Sequence, residues 1–248
     1  MLKRSSVAGW LVMAGAAGLF AVIVSNSGWW EAALRYFFPD QPTVLHPGAS
    51  LMALVWQHIQ LVTISSGITI LVGVPLGVLA TRPAGREFLP IVNGITSLGQ
   101  TFPPVAVLAL AVPVLGFGTL TAVVALFLYG LLPVVRNTIA GLDSVPADVT
   151  NAAHGMGMSR WQALLRIEIP LASPVILAGI RISVIINIGT AMIGSVVGSG
   201  GLGSPIVAGL VRDNLAFILE GALPAAMLAI LVDRLLANIE NNLVVARS

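Results

Sequence analysis

The sequence predicts an all-α, polytopic membrane helix bundle of about six transmembrane helices, and three observations carry that reading. Hydrophobic residues make up 57% of the 248 and charged residues 9%, with mean hydropathy +0.97; a soluble domain carries about 45–50% and about 25%. Six apolar runs approach or exceed the roughly 20 residues that cross a hydrocarbon core. The runs are continuous, unlike the short alternating segments of outer-membrane barrels. A soluble enzyme, a disordered chain and a nucleic-acid binder are excluded, because so few charges cannot cover a soluble surface. The pI of 9.7 accompanies a net charge of only +2, too little for a nucleic-acid surface. With no cysteine, disulfides and thiolate sites are excluded.

The first run, residues 7–24, follows Lys3 and Arg4. It is longer than a usual signal core and no A-x-A site follows it at the right place, so it reads as a retained anchor. Residues 25–53 form an outer segment whose Trp29, Trp30, Tyr36, Phe37 and Phe38 suit an interfacial belt. The second run, 54–80, ends at Arg82-Pro83. The third, 88–115, is interrupted by Pro103-Pro104. The fourth, 120–135, ends at Arg136. The fifth is 174–197, with Arg181 near its start, and the sixth, 215–232, ends at Asp233-Arg234. With the amino terminus inside, nine basic residues (Lys3, Arg4, Arg82, Arg86, Arg136, Arg160, Arg166, Arg234, Arg247) are cytoplasmic and Arg35 and Arg212 are outside. The asymmetry puts both termini in the cytoplasm. Three regions follow: an anchor with its outer segment (1–53), a core (54–240) and a tail (241–248).

Residues 137–171 form the longest cytoplasmic interval, and its local chemistry is legible. Ser144 is placed to cap a helix, Pro146 suits its first turn and Asp148 its positive end. Gly155 or Gly157 ends it in a left-handed conformation. Ser159 then starts a second helix, with Gln162 completing a capping box, and Pro170 stops it. Met156, Met158 and Trp161 lie at the glycine turn. Such a loop either packs on its own bundle or fills a pocket in another protein.

The spacing of Asn151-Ala152-Ala153, Gly157 and Ile167-x-Ile169-Pro170 resembles the E-A-A-x3-G-x9-I-x-L-P loop of binding-protein-dependent ABC importer permeases. Six of its seven fixed positions match in type if Ile169 counts for Leu. The resemblance implies the type I importer permease fold, with this loop as the coupling helix that docks into the ATPase subunit. It assigns the docking contact to Ala152, Ala153, Met156, Gly157, Met158, Ser159 and Arg160. Asn151 stands where the family has Glu; it keeps hydrogen-bonding capacity but loses the charge. Gln100-Thr101-Phe102-Pro103-Pro104, Leu128-Tyr129-Gly130-Leu131-Leu132-Pro133, residues 155–159 and residues 174–181 look like the osmoprotectant branch, which imports glycine betaine, choline, carnitine or related quaternary amines. Methionine-type permeases share parts of this pattern and remain the alternative.

The resemblance further implies a second permease subunit, two ATPase subunits and a periplasmic or lipid-anchored solute-binding protein. ATP is then used by the partner, no cofactor is bound by this chain, and the location is the bacterial inner membrane. An ATP-independent channel and an intramembrane enzyme are the remoter readings. The enzyme would need clustered ionisable groups at matched depth, which the third and fourth runs lack before Arg136.

Gly198-Ser199-Gly200-Gly201-Leu202-Gly203 fits G-x-G-x-x-G but follows a membrane helix rather than a strand, so a dinucleotide site is excluded. A hinge or close-packed outer turn remains. Among polar residues at membrane depth, Gln100 and Thr101 precede a proline break that frees backbone carbonyls. With Phe102, Pro103 and Tyr129 they are the translocation-pathway candidates, carbonyls and aromatic faces suiting a bulky cation; a simple kink is the competing reading. Asn187 is expected to face a neighbouring helix and Arg181 to snorkel inward. His58 and Glu220 are expected at the outer interface.

Overall fold

Backbone N–H and C=O groups in hydrocarbon must be satisfied within the protein, and among the described residues the chain does this with helices alone. The computed structural model describes residues 2–245, with side chains for 9–240 and 242. The helices are α1 (Leu2–Ser25), α2 (Ser27–Phe37), α3 (Leu51–Thr81), α4 (Leu89–Thr101), α5 (Pro104–Leu115), α6 (Thr119–Asp143), α7 (Ala147–Gly155), α8 (Arg160–Ala163), α9 (Ile169–Gly194), α10 (Gly203–Arg212) and α11 (Leu215–Val245). Four stretches are long and apolar enough to span a membrane: Leu51–Thr81, Thr119–Asp143, Arg160–Val197 and Leu215–Glu240. Two bent pairs, α1–α2 at 71° and α4–α5 at 99°, bring the total to as many as six. The side chains of Lys3 and Arg4, and Arg247 altogether, lie outside the described residues.

The ends of the bundle are identified by contacts. Arg86 meets Asp143 at 3.4 Å and Arg82 meets Glu168 at 2.6 Å. The end of α3, the start of α4, the end of α6 and the loop after it therefore share one end. Asn238 of α11 lies against Gly9 of α1. At the opposite end, Gly118 N–H donates to Val197 C=O at 2.7 Å, joining the start of α6 to the turn beyond α9.

α3, α6 and α9 form the centre. Gly73 and Gly77, four residues apart, let α3 approach α6: a Cβ would come within 2.8 Å of Val134 and 2.7 Å of Thr138. This is close packing through small residues, which membrane helices use in place of a hydrophobic drive. Two buried hydroxyls are satisfied within their own helices, Thr69 donating to Ser65 C=O and Thr138 to Val134 C=O. Asn187 donates to Ser66 Oγ at 3.0 Å, so it does join two helices.

Several expectations are corrected. α6 continues two turns past Val135, because Asn137 and Thr138 bond back to Pro133 and Val134 C=O and keep the helix closed. The interval between helices is consequently 144–159, not 137–171. Ser144 caps no following helix; it ends α6, its hydroxyl donating to Gly141 C=O, and Pro146 takes the N-cap position of α7. Pro170 does not stop the second helix. A π-helical turn at Leu164–Glu168 precedes it, and the proline falls in the first turn of α9, where its missing N–H costs little. Residues 160–197 thus form one continuous helix.

The outer segment is also more than a belt. Trp30 and Leu34 are buried and the Trp30 indole donates to Ile23 C=O, while Trp29, Tyr36 and Phe37 remain exposed. The connection after α2 is laid across the α10–α11 turn. Gln41 donates to Asp213 C=O, Asn214 to Thr43 C=O, and His46 N–H to Glu220 at 2.7 Å.

Candidate functional site

The loop between α6 and α9 is built from local signals. Asp148 stands in the first turn of α7, at its positive end. Gly157 has φ +85°, and Met158 N–H reaches Ala153 C=O at 3.1 Å while Gly157 N–H reaches His154 C=O at 2.9 Å. This closes α7 in a left-handed glycine cap. Ser159 and Gln162 then form both hydrogen bonds of a capping box, at 2.9 and 3.3 Å. Two helix ends thus meet across four residues, 156–159, with most of their surface free.

Exposure separates the expected docking residues. Asn151, Ala152, Gly157, Ser159 and Arg160 are exposed, Met156 is 73% exposed and Met158 half-buried. Ala153 is the correction. It is 1% exposed, so its methyl packs within the chain's own fold and its contribution to the loop is the carbonyl that caps the turn. Trp161, 65% exposed, stands beside them. Between the loop and the end of α3 lies a cavity of about 470 Å3, lined by Arg82, His154, Arg160, Trp161, Leu164 and Glu168. The Arg82–Glu168 pair forms its floor and pins the π-turn to α3.

The proline break is real: α4 and α5 diverge by 99°. Its carbonyls are not all free. The Tyr129 hydroxyl donates to Phe102 C=O, and the Gln100 amide donates to Tyr129 C=O at 2.9 Å. Tyr129 is buried and acts as a brace between α6 and the break rather than as an open aromatic face. Phe102, Thr101 and Pro103 are exposed, and Thr101 donates back to Ser97 C=O.

Other polar residues lie where the sequence does not put them. His58 and Glu220 do not lie on an open surface; both are fully buried within the protein. His58 Nε2 pairs with Ile188 C=O at 3.1 Å, and Glu220 accepts from the backbone of His46. Arg181 does not snorkel. The upstream extension of α9 places it mid-helix, where it forms a two-point pair with Asp233 at 2.7 and 2.9 Å and reaches Glu240 at 3.6 Å. The glycine run is a close-packed turn with positive φ at Gly198, Gly200 and Gly201, and Gln57 accepts from Gly201 N–H at 3.0 Å. No strand precedes it. Arg136, expected at a helix end, lies inside α6.

The family described as "Binding-protein-dependent transport system inner membrane component" matches residues 73–245. The osmoprotectant import permease protein OsmY of Salmonella typhimurium is 46% identical over 187 residues, covering 75% of this chain and 79% of that protein. The glycine betaine/carnitine/choline transport system permease protein OpuCB of Bacillus subtilis is 40% identical, covering 77% and 87%. Among solved structures, the inward-facing MetNI methionine ABC transporter superposes with a TM-score of 0.69 at 22% identity, over 78% of this chain and 95% of that one. At that identity the likeness is one of fold.

Proposed function

The chain belongs to the binding-protein-dependent transport system inner membrane components, and on that premise we propose that it is the transmembrane subunit of an osmoprotectant importer driven by a separate ATPase. It is a multi-pass inner-membrane permease; its solute is glycine betaine, carnitine, choline or a related quaternary amine. The observation that carries the reading is the loop at 144–159. It ends one helix and starts the next with its own caps, so its shape is held without a partner, and it leaves Met156, Gly157, Ser159 and Trp161 exposed for one.

A second permease subunit completes the pathway, two ATPase subunits receive the loops, and a solute-binding protein delivers the cargo at the other end. ATP binds to the ATPase subunits. The loop end faces the cytoplasm, which is supported by Arg82, Arg86, Arg160 and Arg166 at that end, against Arg35 and Arg212 at the other. ATP-driven closure of the ATPase pair shifts the population between inward- and outward-open states through the loops.

Reconstitution with the ATPase and the binding protein tests this. The expected result is ATP-dependent uptake into vesicles that quaternary amines compete for and methionine does not. ATP-independent flux, or competition by methionine alone, overturns it.

A further inference from the structure

Arg136 enters the bundle because α6 is longer than its apolar run. It stands seven residues before Asp143, about 10 Å at the 1.5 Å rise of a helix. Its guanidinium bonds Ser97 Oγ on α4 at 3.2 Å. Ser97 is eight residues into α4, about 12 Å from its start, so the charge stands about two turns in from the end that α4 and α6 share.

Two other arginines near membrane depth have carboxylates: Arg181 has Asp233 and Glu240, and Arg82 has Glu168. Arg136 has none within 4.0 Å among the described residues and is exposed. A guanidinium carries five donors, and the single bond to Ser97 leaves most of them unused.

The face that holds it is polar. At 100° per residue, Asn93, Ser97, Gln100 and Thr101 share one side of α4. Ile91, Ile95, Leu98 and Phe102 occupy the opposite side and are about half exposed or more, at 57%, 61%, 55% and 48%. Lipid suits the apolar side. The polar side meets α6, where Gln100 donates to Tyr129 C=O, and leaves Thr101 and Arg136 exposed beside that contact; intramembrane charges face such protein-lined polar surfaces rather than lipid.

We propose that Arg136 binds the carboxylate of the transported solute, making it a specificity residue that favours carboxylate-bearing quaternary amines, such as glycine betaine and carnitine, over choline. The proposal rests on the osmoprotectant reading above. A planar guanidinium matches a carboxylate in two parallel hydrogen bonds. Choline offers a hydroxyl and an uncompensated positive charge, which Arg136 repels.

The test compares Arg136→Gln and Arg136→Lys with the wild type in vesicles that also contain the ATPase and a saturated binding protein. Glycine betaine, carnitine and choline are supplied separately, and solute-free ATP hydrolysis and thermal stability are measured alongside. Arg136→Gln is expected to lower uptake of the two carboxylated solutes about tenfold or more, since a site built for a hydrogen-bonded group loses its discrimination with that bond. Choline uptake is expected to hold or rise. Arg136→Lys is expected to keep the charge, recover part of the carboxylate uptake and raise KM for carboxylated solutes alone. Equal loss for all three solutes, or no loss for any, overturns the proposal and makes Arg136 a packing or subunit contact. If the Gln variant does not insert, the Lys variant decides by the same comparison: a KM rise shared by choline overturns the proposal. Wild-type transport of choline alone also overturns it. Wild-type transport of none of the three overturns the osmoprotectant reading, and this proposal with it.

Discussion

Replacing Gly157 separates the shape of the loop from its surface. Its φ of +85° costs an L-residue about 1–2 kcal/mol, and a methyl added there meets nothing within 4 Å. Against that strain stand the two hydrogen bonds of the glycine cap, about 1 kcal/mol each, and the capping box at about 1 kcal/mol. The sum, about 3 kcal/mol, exceeds the strain, so Gly157→Ala keeps the turn. Its uptake is expected to stay above about half of wild type. Gly157→Asp carries equal or smaller strain, because Asp tolerates the left-handed region better. It also puts a charge on the surface proposed to dock, and an unpaired charge in an interface costs about 2–5 kcal/mol, or more than tenfold. Both variants are expected to insert and to melt within a few degrees of wild type, since an exposed turn adds little to global stability. The assay is vesicle uptake with ATP hydrolysis measured in parallel. If Gly157→Asp and Gly157→Ala transport equally, the exposed turn is not the docking surface.

Two further outcomes follow from buried polar contacts. Arg82→Ala strands the buried Glu168 carboxylate at the π-turn and is expected to destabilise the protein by about 3 kcal/mol, with Arg82→Ala/Glu168→Gln recovering part of it; thermal unfolding in detergent reads both, and equal melting of single and double variants would show that the pair does not pin the turn. In the segment after α2, burial first and then the nearby Arg212 charge hold the His46 imidazole below its ordinary value; its neutral form is thus favoured by folding, the contribution is complete above about pH 6.5 and falls away as pH drops through and below that value, so amide protection factors across 38–50, corrected for the intrinsic slowing of exchange in acid, are expected to fall between pH 7.5 and 5.5 in the wild type and much less in His46→Gln.

The crossings are legible in the sequence because hydropathy acts on stretches of some twenty residues, and a few misplaced polar groups do not change its sum. Boundaries depend on single side chains that feed a hydrogen bond back into the helix. Asn137 and Thr138 read as the start of a loop, yet each bonds a carbonyl one turn behind and extends α6. Pro170 reads as a stop; one residue wound into a wider turn puts it where a proline is tolerated. The loop was legible in detail for the opposite reason, since the left-handed Gly157 and the Ser159–Gln162 box are sequence-local devices. Tertiary partners were not legible. Nothing near Arg181 in sequence announces Asp233, 52 residues away, and nothing near Glu220 announces the backbone of His46. Arg136 was hidden because a basic residue after an apolar run signals a membrane boundary, a signal that fails where the helix runs on past it.

The wide turn at 164–168 has a mechanical consequence. It joins the loop end to the membrane segment in one continuous helix, making residues 160–197 a single arm of 38 residues, about 57 Å long. A tilt of about 5° at the loop sweeps the far tip through on the order of 5 Å. That tip ends in Gly198, Gly200 and Gly201, whose positive φ angles mark the first place along the rod where the chain bends sharply. A tilt at Arg160 is therefore carried along one continuous helix to the glycine turn, where positive φ angles end the helical path.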